Sequence, residues 1–290
     1  EKDMKIGFIG LGNMGQGMAD NLLNKGADLM VFTRSKEKIS VMKQKGAKGA
    51  SSLEQISKDT ELIFICLPDI ETSIQIVKGI KRYSNNVKIV SDHSTVSLQT
   101  SIESHRLLKE KGVSFLDAPI SGGPTGAKDG TLSIMVGGNL DDYTMALPYY
   151  EMMGTKVKYM GNTGAGTAMK LINQLLTAVH TTAAAEAISL ANAVGITIKD
   201  AMEILSVSFG NSTMLERSAP IIRDKSYIGS PAPARNLIKD IHIVTELAKD
   251  FNLSLPLIKS TEILFDQYRN MGKEMEDIAG IIQLFEKNKE

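Results

Sequence analysis

The segment that most constrains the fold lies near the start of the chain, where residues 10–15 read GLGNMG. It matches G-x-G-x-x-G, a pattern that also occurs in ordinary tight loops. Here it follows a short apolar run, 5–9, and opens a stretch, 13–25, whose apolar residues recur at helical spacing. Strand, tight turn and helix in that order can hold a pyrophosphate at a helix N-terminus. The predicted dinucleotide contacts are Gly10, Leu11, Gly12, Asn13, Met14 and Gly15.

Further apolar runs follow along the first half of the chain. The runs up to residue 90 are apolar rather than alternating, and the sequence between them is long enough for crossovers. Strands of that kind belong to a parallel sheet that helices cover on both faces. We therefore predict an α/β fold with a doubly wound parallel sheet. Its predicted strands are 5–9, 28–32, 62–67, 88–90, 114–116 and 132–136.

From about residue 162 the sequence changes character and becomes helical in period. Later helical segments are separated by glycines and prolines, and Pro220 is among the expected breaks. The predicted organisation is a dinucleotide-binding domain over 1–162, a long interdomain helix over 163–193 and an all-helical domain over 194–290. The apolar stripe predicted on the long helix comprises Met169, Ile172, Leu176, Val179 and Ala183.

Composition narrows the class of protein. The 33 basic and 33 acidic residues balance, so no basic surface points to nucleic acid or an anionic membrane. One cysteine makes no internal disulfide, and the chain has neither a CxxC pair nor a Cys/His cluster for a metal. No apolar run approaches the roughly 20 residues of a membrane span, and no signal peptide is recognisable. We expect a cytoplasmic protein that acts on a small molecule, without metal, nucleic acid or membrane.

The residues after the second predicted strand indicate which dinucleotide binds. An acidic residue there would accept hydrogen bonds from the ribose 2′-hydroxyl of NAD. This sequence instead has Arg34, with Lys36 and Lys38 nearby. An arginine can pair with the 2′-phosphate of NADP, although a solvated surface arginine is the alternative. We predict that Arg34 contacts the cofactor and that the cofactor is NADP, with NAD as the second choice.

Two residue pairs end the third and fourth predicted strands. These are Leu67-Pro68 and Ser94-Thr95. Ligands of an open parallel sheet lie outside the carboxyl ends of its strands. We therefore predict that Leu67, Pro68 and Thr95 border the dinucleotide. The alternative is that these residues only mark the start of ordinary loops.

Two later segments are candidates for catalysis. Residues 117–123, DAPISGG, run from a strand end into a serine and two glycines whose hydroxyl and N–H groups suit a carboxylate, although a structural turn fits equally well. Residues 164–173, GAGTAMKLIN, place Lys170 and Asn173 three apart on the long helix, and therefore on one face. A surface lysine is the usual case. This lysine, however, starts a helix in glycine-rich sequence where the two predicted domains should meet.

Taken together and in this order, the motifs resemble the β-hydroxyacid dehydrogenase family. This family includes 3-hydroxyisobutyrate dehydrogenases, tartronate semialdehyde reductases and glyoxylate/succinic semialdehyde reductases. The resemblance is collinear from about Met4 to the last helices. It rests on GFIGLGNMG at 7–15, DAPISGG at 117–123, GTLSIMVGG at 130–138 and the lysine and asparagine of 164–173.

The resemblance implies a Rossmann-type domain, an all-helical C-terminal domain, and a homodimer or homotetramer. It implies that Lys170 is catalytic and that Lys239 and Thr95 contact the cofactor. His93 stands where many members have a small residue, and we favour a packing role over a cofactor contact. The segment 230–235 is less apolar than its family counterpart often is, which weakens transfer of any member's specificity. The implied substrate contacts are Ser121, Gly122, Gly123 and Asn173.

The expected reaction is hydride transfer between NADP and a short 3-hydroxy acid or its semialdehyde, with Lys170 as general acid and base. Several substrates are compatible with these motifs. They are glyoxylate, the semialdehydes of succinate, tartronate and methylmalonate, and a sugar acid such as threonate. Imine reductases share the architecture and are an alternative. A resemblance to them, however, implies a residue other than lysine at the position of Lys170. A non-catalytic NADP-binding scaffold or sensor is the third alternative, and the presence of Lys170, Asn173 and Ser121 argues against it.

Overall fold

The computed structural model describes residues 3–286 and divides into two compact units, one up to Lys170 and one from Leu171 onward. Strands β1 to β9 occupy Ile6–Ile9, Leu29–Phe32, Lys48–Gly49, Leu62–Ile65, Ile89–Asp92, Ser114–Asp117, Ile120–Ser121, Leu132–Gly137 and Gly154–Gly161. Helices α1 to α12 occupy Gly15–Asn24, Lys36–Gln44, Leu53–Asp59, Ile70–Tyr83, Leu98–Lys109, Gly123–Asp129, Leu140–Met153, Ala165–Ala193, Ile198–Leu205, Thr213–Asp224, Ala234–Asp250 and Pro256–Asn270. A 3-10 helix follows at Ile278–Leu284.

The strands of the first unit form one sheet in the order β3-β2-β1-β4-β5-β6-β8-β7, and β9 pairs with β8. Strands β1 to β6 are parallel, with Ile6 opposite both Leu29 and Leu62. Strand β8 runs antiparallel to β6 and β7. The predicted parallel α/β sheet is confirmed, and the antiparallel edge is an addition to it. Strands β3 and β7 have two residues each, which is too short for a hydrophobic period to predict them from the sequence.

The sheet is buried on both faces. Phe8 and Phe64 lie in one core, which also contains Met18 of α1, whereas Ile9 and Ile65 lie in a second core. Since successive residues of a strand point to opposite faces, a strand covered on both sides must be apolar throughout. That requirement explains why these strands read as continuous apolar runs.

Most helices of the sheet unit begin at a side chain that accepts a hydrogen bond from their own first turn. At α2, α3, α4 and α5 the acceptor bonds the backbone N–H three residues later, which fixes where the helix starts. Helix α1 differs, because among residues 3–286 no side chain caps its first turn. The four capping residues are Ser35, Ser52, Asp69 and Ser97.

The second unit consists of helices, as the sequence predicts. Its core contains Leu171 and Ala178 of α8, Ile241 of α11 and Phe265 of α12. The division between the two units falls inside α8, which runs over Ala165–Ala193. The three-part division at residues 162 and 193 stays a prediction. Within the described chain, no helix is both long and apolar enough to cross a membrane.

The apolar stripe predicted on α8 does not coincide with the residues that are most buried. Ile172 and Leu176 are 53% and 47% exposed, whereas Leu171, Ala178 and Ile188 are buried. Alanine, leucine and isoleucine occur on more than one side of this helix, so its period alone does not select a face. The packing partners select it.

Pro220 is also not a helix break, because it lies inside α10. Proline removes one N–H donor and the hydrogen bond that this donor would make to the carbonyl four residues earlier. Backbone hydrogen bonds resume beyond it, since Lys225 N bonds Ile222 O at the end of the helix. The helix therefore tolerates the loss of a single bond at this position.

Candidate active site

The carboxyl ends of the parallel strands lie side by side along one edge of the sheet. Backbone hydrogen bonds continue past the strands there, from Gly10 N to Phe32 O, from Cys66 N to Ile9 O, from His93 N to Ile65 O and from Ala118 N to Asp92 O. These bonds bring together the loops that follow β1, β2, β4, β5 and β6. The predicted site residues of those loops therefore share one edge of the sheet, which is where ligands of such sheets bind.

The glycine turn between β1 and α1 has the geometry that a dinucleotide needs. Gly10 has a φ of 101°, and a Cβ there would lie 2.2 Å from the carbonyl oxygen of Cys66. A Cβ at Gly15 would lie 1.9 Å from the Gly10 carbonyl oxygen, so α1 packs directly on the turn. At Gly12, in contrast, a Cβ would meet nothing within 4 Å, and the backbone is open to solvent. Together with the uncapped first turn of α1, this open backbone fits the pyrophosphate of NAD(P).

The basic residues after β2 are exposed and lie at the start of α2. Ser35 caps α2 by accepting a hydrogen bond from Lys38 N. The Nζ of Lys38 donates to the carbonyl oxygen of Leu11 at 2.7 Å, which ties α2 to the glycine turn. Arg34 is exposed immediately before this cap. The structure thus places Arg34 on the same edge as the turn, with its side chain accessible to a ligand.

The loops after β4 and β5 are joined by a side chain. Ser94 is buried, and its Oγ accepts a hydrogen bond from Leu67 N at 2.9 Å. Leu67 and Thr95 are partly exposed and Pro68 is exposed. These three predicted cofactor contacts therefore belong to two loops that hold each other in place.

Ser121 belongs to β7, where it pairs with Ser133 of β8. Gly122 and Gly123 follow with φ values of 134° and 66°, and both are exposed at the start of α6. These positive φ values turn the chain away from the strand and leave backbone N–H groups accessible. A hydroxyl beside open backbone can bind a carboxylate, and this role for Ser121, Gly122 and Gly123 stays a prediction.

Lys170 lies in the second turn of α8 and is only 8% exposed. The helix begins against the end of β6, because Asp117 Oδ1 accepts a hydrogen bond from Gly164 N at 2.7 Å and Oδ2 accepts one from Thr167 N at 2.8 Å. Lys170 is therefore a largely buried lysine on a helix anchored at the carboxyl edge of the sheet. Buried lysines are uncommon, and most of them have a partner or a function.

Two predicted site residues belong to the helical unit. Asn173 Nδ2 donates to Gln174 Oε1 at 3.0 Å, and Gln174 Nε2 donates to Asp240 Oδ2 at 2.7 Å. Lys239 Nζ lies 3.3 Å from Asp240 Oδ1. Within this unit, α8 and α11 are therefore linked by a chain of polar side chains that includes both predicted residues.

His93 packs in the sheet unit. The residue is 2% exposed, its ring stacks on Phe64 with 5.4 Å between centroids, and it meets the Tyr150 ring edge-on at 5.8 Å. Nδ1 donates to the carbonyl oxygen of Ala118, while Nε2 has no hydrogen-bond partner among residues 3–286. Burial lowers the pKa of His93 from 6.5 to about 4, although the bond to Ala118 opposes the shift. The imidazole is therefore neutral at pH 7.

Comparison with known proteins decides the family. Residues 5–161 match the family model described as the NAD binding domain of 6-phosphogluconate dehydrogenase, and residues 164–285 match that described as NAD-binding of NADP-dependent 3-hydroxyisobutyrate dehydrogenase. The chain is 31% identical to 2-(hydroxymethyl)glutarate dehydrogenase of Eubacterium barkeri, over 99% of this chain and 96% of the relative. The chain belongs to the β-hydroxyacid dehydrogenase family.

Other members agree in sequence and in structure. This β-hydroxyacid dehydrogenase is 32% identical to glyoxylate/succinic semialdehyde reductase 2 of Arabidopsis thaliana, over 97% of the chain and 79% of the relative. The crystal structure of 3-hydroxyisobutyrate dehydrogenase from Salmonella typhimurium has a TM-score of 0.88 and 28% identity, covering 97% of this chain and all of that one. The chain is accordingly an NAD(P)-dependent oxidoreductase with a Rossmann-type domain and a helical C-terminal unit.

Two side chains of this β-hydroxyacid dehydrogenase organise the site without having been predicted to do so. Asp117 holds the start of α8, and Ser94 joins the loops after β4 and β5. Asp117 ends β6 and Ser94 lies two residues after the end of β5, and that position beside a buried strand is the one signal the sequence offers. The partners lie 27 to 50 residues away along the chain, so no local pattern identifies them.

Proposed function

We propose that this enzyme interconverts a short 3-hydroxy acid and its semialdehyde, using NADP and Lys170. When bound, the reduced nicotinamide would supply a hydride to the aldehyde carbon in the reductive direction. The carbonyl oxygen then needs a proton, and the Lys170 ammonium donates it while stabilising the developing negative charge. In the oxidative direction neutral Lys170 would accept the hydroxyl proton while the oxidised nicotinamide would accept the hydride from the same carbon.

One observation supports this reaction above others. A largely buried lysine lies on a helix whose start is fixed to the end of β6, in the same folded unit as an open glycine turn. Imine reduction and a non-catalytic scaffold do not account for a buried lysine at this position. General acid–base catalysis of a hydroxyl and carbonyl pair does, since lysine can both donate and accept a proton there.

We also propose that Arg34 selects NADP by pairing with the 2′-phosphate. Its exposed position after β2 and the open turn nearby support this role. Leu67, Pro68 and Thr95 border the cofactor in this proposal, and Ser121, Gly122 and Gly123 bind the substrate carboxylate. The family resemblance supports Lys239 as a cofactor contact and assembly as a homodimer or homotetramer. Asn173 as a substrate contact is supported by the resemblance and by its place three residues after Lys170 on α8. The single cysteine, which forms no internal disulfide, supports a cytoplasmic location.

The test is a spectrophotometric panel of short semialdehydes with NADPH and with NADH. We expect NADPH oxidation with at least one carboxylate-bearing aldehyde, and a higher kcat/KM with NADPH than with NADH. Lys170→Ala should lower kcat by about 10²- to 10⁴-fold while the Kd for NADPH stays within about twofold. Lys109→Ala, which removes an exposed helical lysine, is the control and should change neither value.

Arg34→Ala tests the cofactor proposal separately. Loss of a charge-assisted contact should raise the Kd for NADP by about 10- to 100-fold and leave the Kd for NAD nearly unchanged. Arg223→Ala removes an exposed arginine paired with Asp224 and serves as the control. An inactive panel with every aldehyde would favour the scaffold, and a wild-type preference for NADH would reject the role of Arg34.

A further inference from the structure

We infer that Asp117 is a positioning residue for catalysis, because its carboxylate fixes the start of α8 and thereby the place of Lys170. Both oxygens are used, Oδ1 by Gly164 N at 2.7 Å and Oδ2 by Thr167 N at 2.8 Å. Asp117 is 1% exposed, so these bonds form away from water. The inference rests on the proposed role of Lys170.

The physical reason for such an anchor lies in the helix end. The first turn of an α-helix carries N–H groups without partners in the helix, together with a partial positive charge. A buried carboxylate satisfies two of these donors and places a negative charge where the helix dipole favours it. At α8 the acceptor comes from β6, 47 and 50 residues earlier, whereas Ser35 and Ser97 cap their own helices. The start of α8 is therefore positioned by the sheet.

Other contacts hold the same turn from different sides. A Cβ at Gly166 would lie 2.3 Å from the carbonyl oxygen of Met135 in β8, so the helix backbone rests directly on that strand. Thr167 Oγ1 and Ser101 Oγ of α5 are 2.7 Å apart and share a hydrogen bond. With β6, β8 and α5 all in contact, the first turn of α8 has little freedom to rotate or slide.

The consequence for Lys170 follows from helix geometry. Lys170 lies three residues after Thr167, and one residue of helix corresponds to about 100° of rotation and about 1.5 Å of rise. Even a partial shift of the first turn would move the ammonium group away from the reacting oxygen. A displacement of about 1 Å can cost about 10²-fold in rate.

The carboxylate itself accepts hydrogen bonds from the start of α8, from the N–H groups of Gly164 and Thr167 and from the Thr167 side chain. Burial raises the pKa of Asp117, while the hydrogen bonds from Gly164 and Thr167 act in the opposite direction. Substitution of Asp117 by asparagine keeps one carbonyl acceptor and sets an amide NH₂ against the second N–H. Substitution by alanine removes both acceptors. The two variants therefore weaken the anchor to different degrees.

The experiment measures kcat, the Kd for NADPH and hydrogen exchange in the purified full-length enzyme. We expect Asp117→Asn to lower kcat by about 10- to 100-fold. The Kd for NADPH should stay within about threefold, because the glycine turn proposed to bind the cofactor follows β1 and not β6. Amides of residues 164–170 should exchange faster than in the wild type. Asp117→Ala should lower kcat further if it folds, so asparagine gives partial rescue.

Asn139→Ala is the matched control. Asn139 Oδ1 accepts hydrogen bonds from Asp141 N and Asp142 N at the start of α7, so its loss also frees two N–H groups of a first turn. It should lower stability without changing kcat. A folded Asp117→Asn variant with wild-type kcat and wild-type exchange over 164–170 would overturn the inference, as would an equal loss of kcat in Asn139→Ala.

The proposed function and this inference can fail separately. If Lys170→Ala retains wild-type kcat, the role of Lys170 is wrong, whatever the exchange data show for Asp117→Asn. If Lys170→Ala is impaired, the residual turnover of the Lys170→Ala/Asp117→Asn double variant should match that of Lys170→Ala, because Asp117 acts through Lys170. A further multiplicative loss in the double variant would show that Asp117 acts in another way.

Discussion

Acid should destabilise this enzyme through His93, well before most carboxylates are protonated. In the folded chain burial lowers the pKa of His93 to about 4, whereas the unfolded chain has the ordinary value of 6.5. The unfolded state therefore binds a proton more readily, and stability falls as the pH drops from about 6.5 towards 4. Above pH 6.5 the ring is neutral in both states and makes no pH-dependent contribution.

The size of the effect follows from the shift in pKa. One unit corresponds to about 1.4 kcal/mol, so the full loss below pH 4 is about 3 kcal/mol. Between pH 7 and pH 5 the same two pKa values give a loss of about 2 kcal/mol. The burial of Asp117 raises its pKa and so acts in the opposite direction, which is why the comparison must be made with a variant at His93.

The assay is urea unfolding of the whole chain at pH 7 and pH 5, followed by circular dichroism because the sequence has no tryptophan. His93→Asn keeps a donor for the Ala118 carbonyl but has no ring to titrate, and it should lose about 2 kcal/mol less than the wild type between the two pH values. His242→Gln, at a partly buried histidine of α11 outside the contacts of His93, is the control variant. NMR of labelled histidines should show one ring that does not titrate above pH 5. A His93 resonance titrating near 6.5, or an unchanged loss in His93→Asn, would refute the reasoning.

Three further predictions concern glycine, a buried hydroxyl pair and a buried ion pair. Gly15→Ala should destabilise the fold by about 1–3 kcal/mol because its Cβ meets the Gly10 carbonyl, whereas Gly12→Ala should leave the midpoint of thermal unfolding nearly unchanged and raise the Kd for NADPH in a fluorescence titration. Tyr150→Phe should lower the free energy of unfolding in urea by about 1–3 kcal/mol, because it leaves the buried Ser91 hydroxyl without its hydrogen-bond partner at 2.7 Å. Adding Ser91→Ala should recover part of that free energy. Asp277→Asn should cost about 3 kcal/mol in the same assay, since it breaks a two-point contact with the Arg217 guanidinium at 2.6 Å; a loss below about 1 kcal/mol would contradict it.

Local sequence predicts a large part of the first unit. Strands such as 62–65 are recognisable because a strand covered on both faces is apolar at every position. The turn 10–15 is recognisable because only glycine fits against the carbonyl groups of Cys66 and Gly10. The order of strands is not recognisable in the same way. No local pattern places β4 beside β1, since that pairing depends on crossover helices and on burial over the whole sheet.

The helical half shows the limit of periodicity. The sequence predicts helix α8 in nearly its full extent, but its predicted apolar stripe includes Ile172 and Leu176, which are exposed. A helix rich in alanine and leucine presents several apolar faces, and the free energy of burial depends on which neighbours exist. Only the packed unit shows that Leu171 and Ala178 are the core positions.

The sequence by itself determined the class of protein, because the glycine turn, the apolar strands and the order of its motifs are local and resemble one family. It also singled out Lys170 as a candidate acid and base. Only the tertiary structure decided what surrounds those residues. Asp117 reaches α8 across 47 residues of chain, and His93 is neutral because Phe64 and Tyr150 bury it. Such contacts join segments distant in sequence, and burial is a property of the folded whole, so neither can be read from a local pattern.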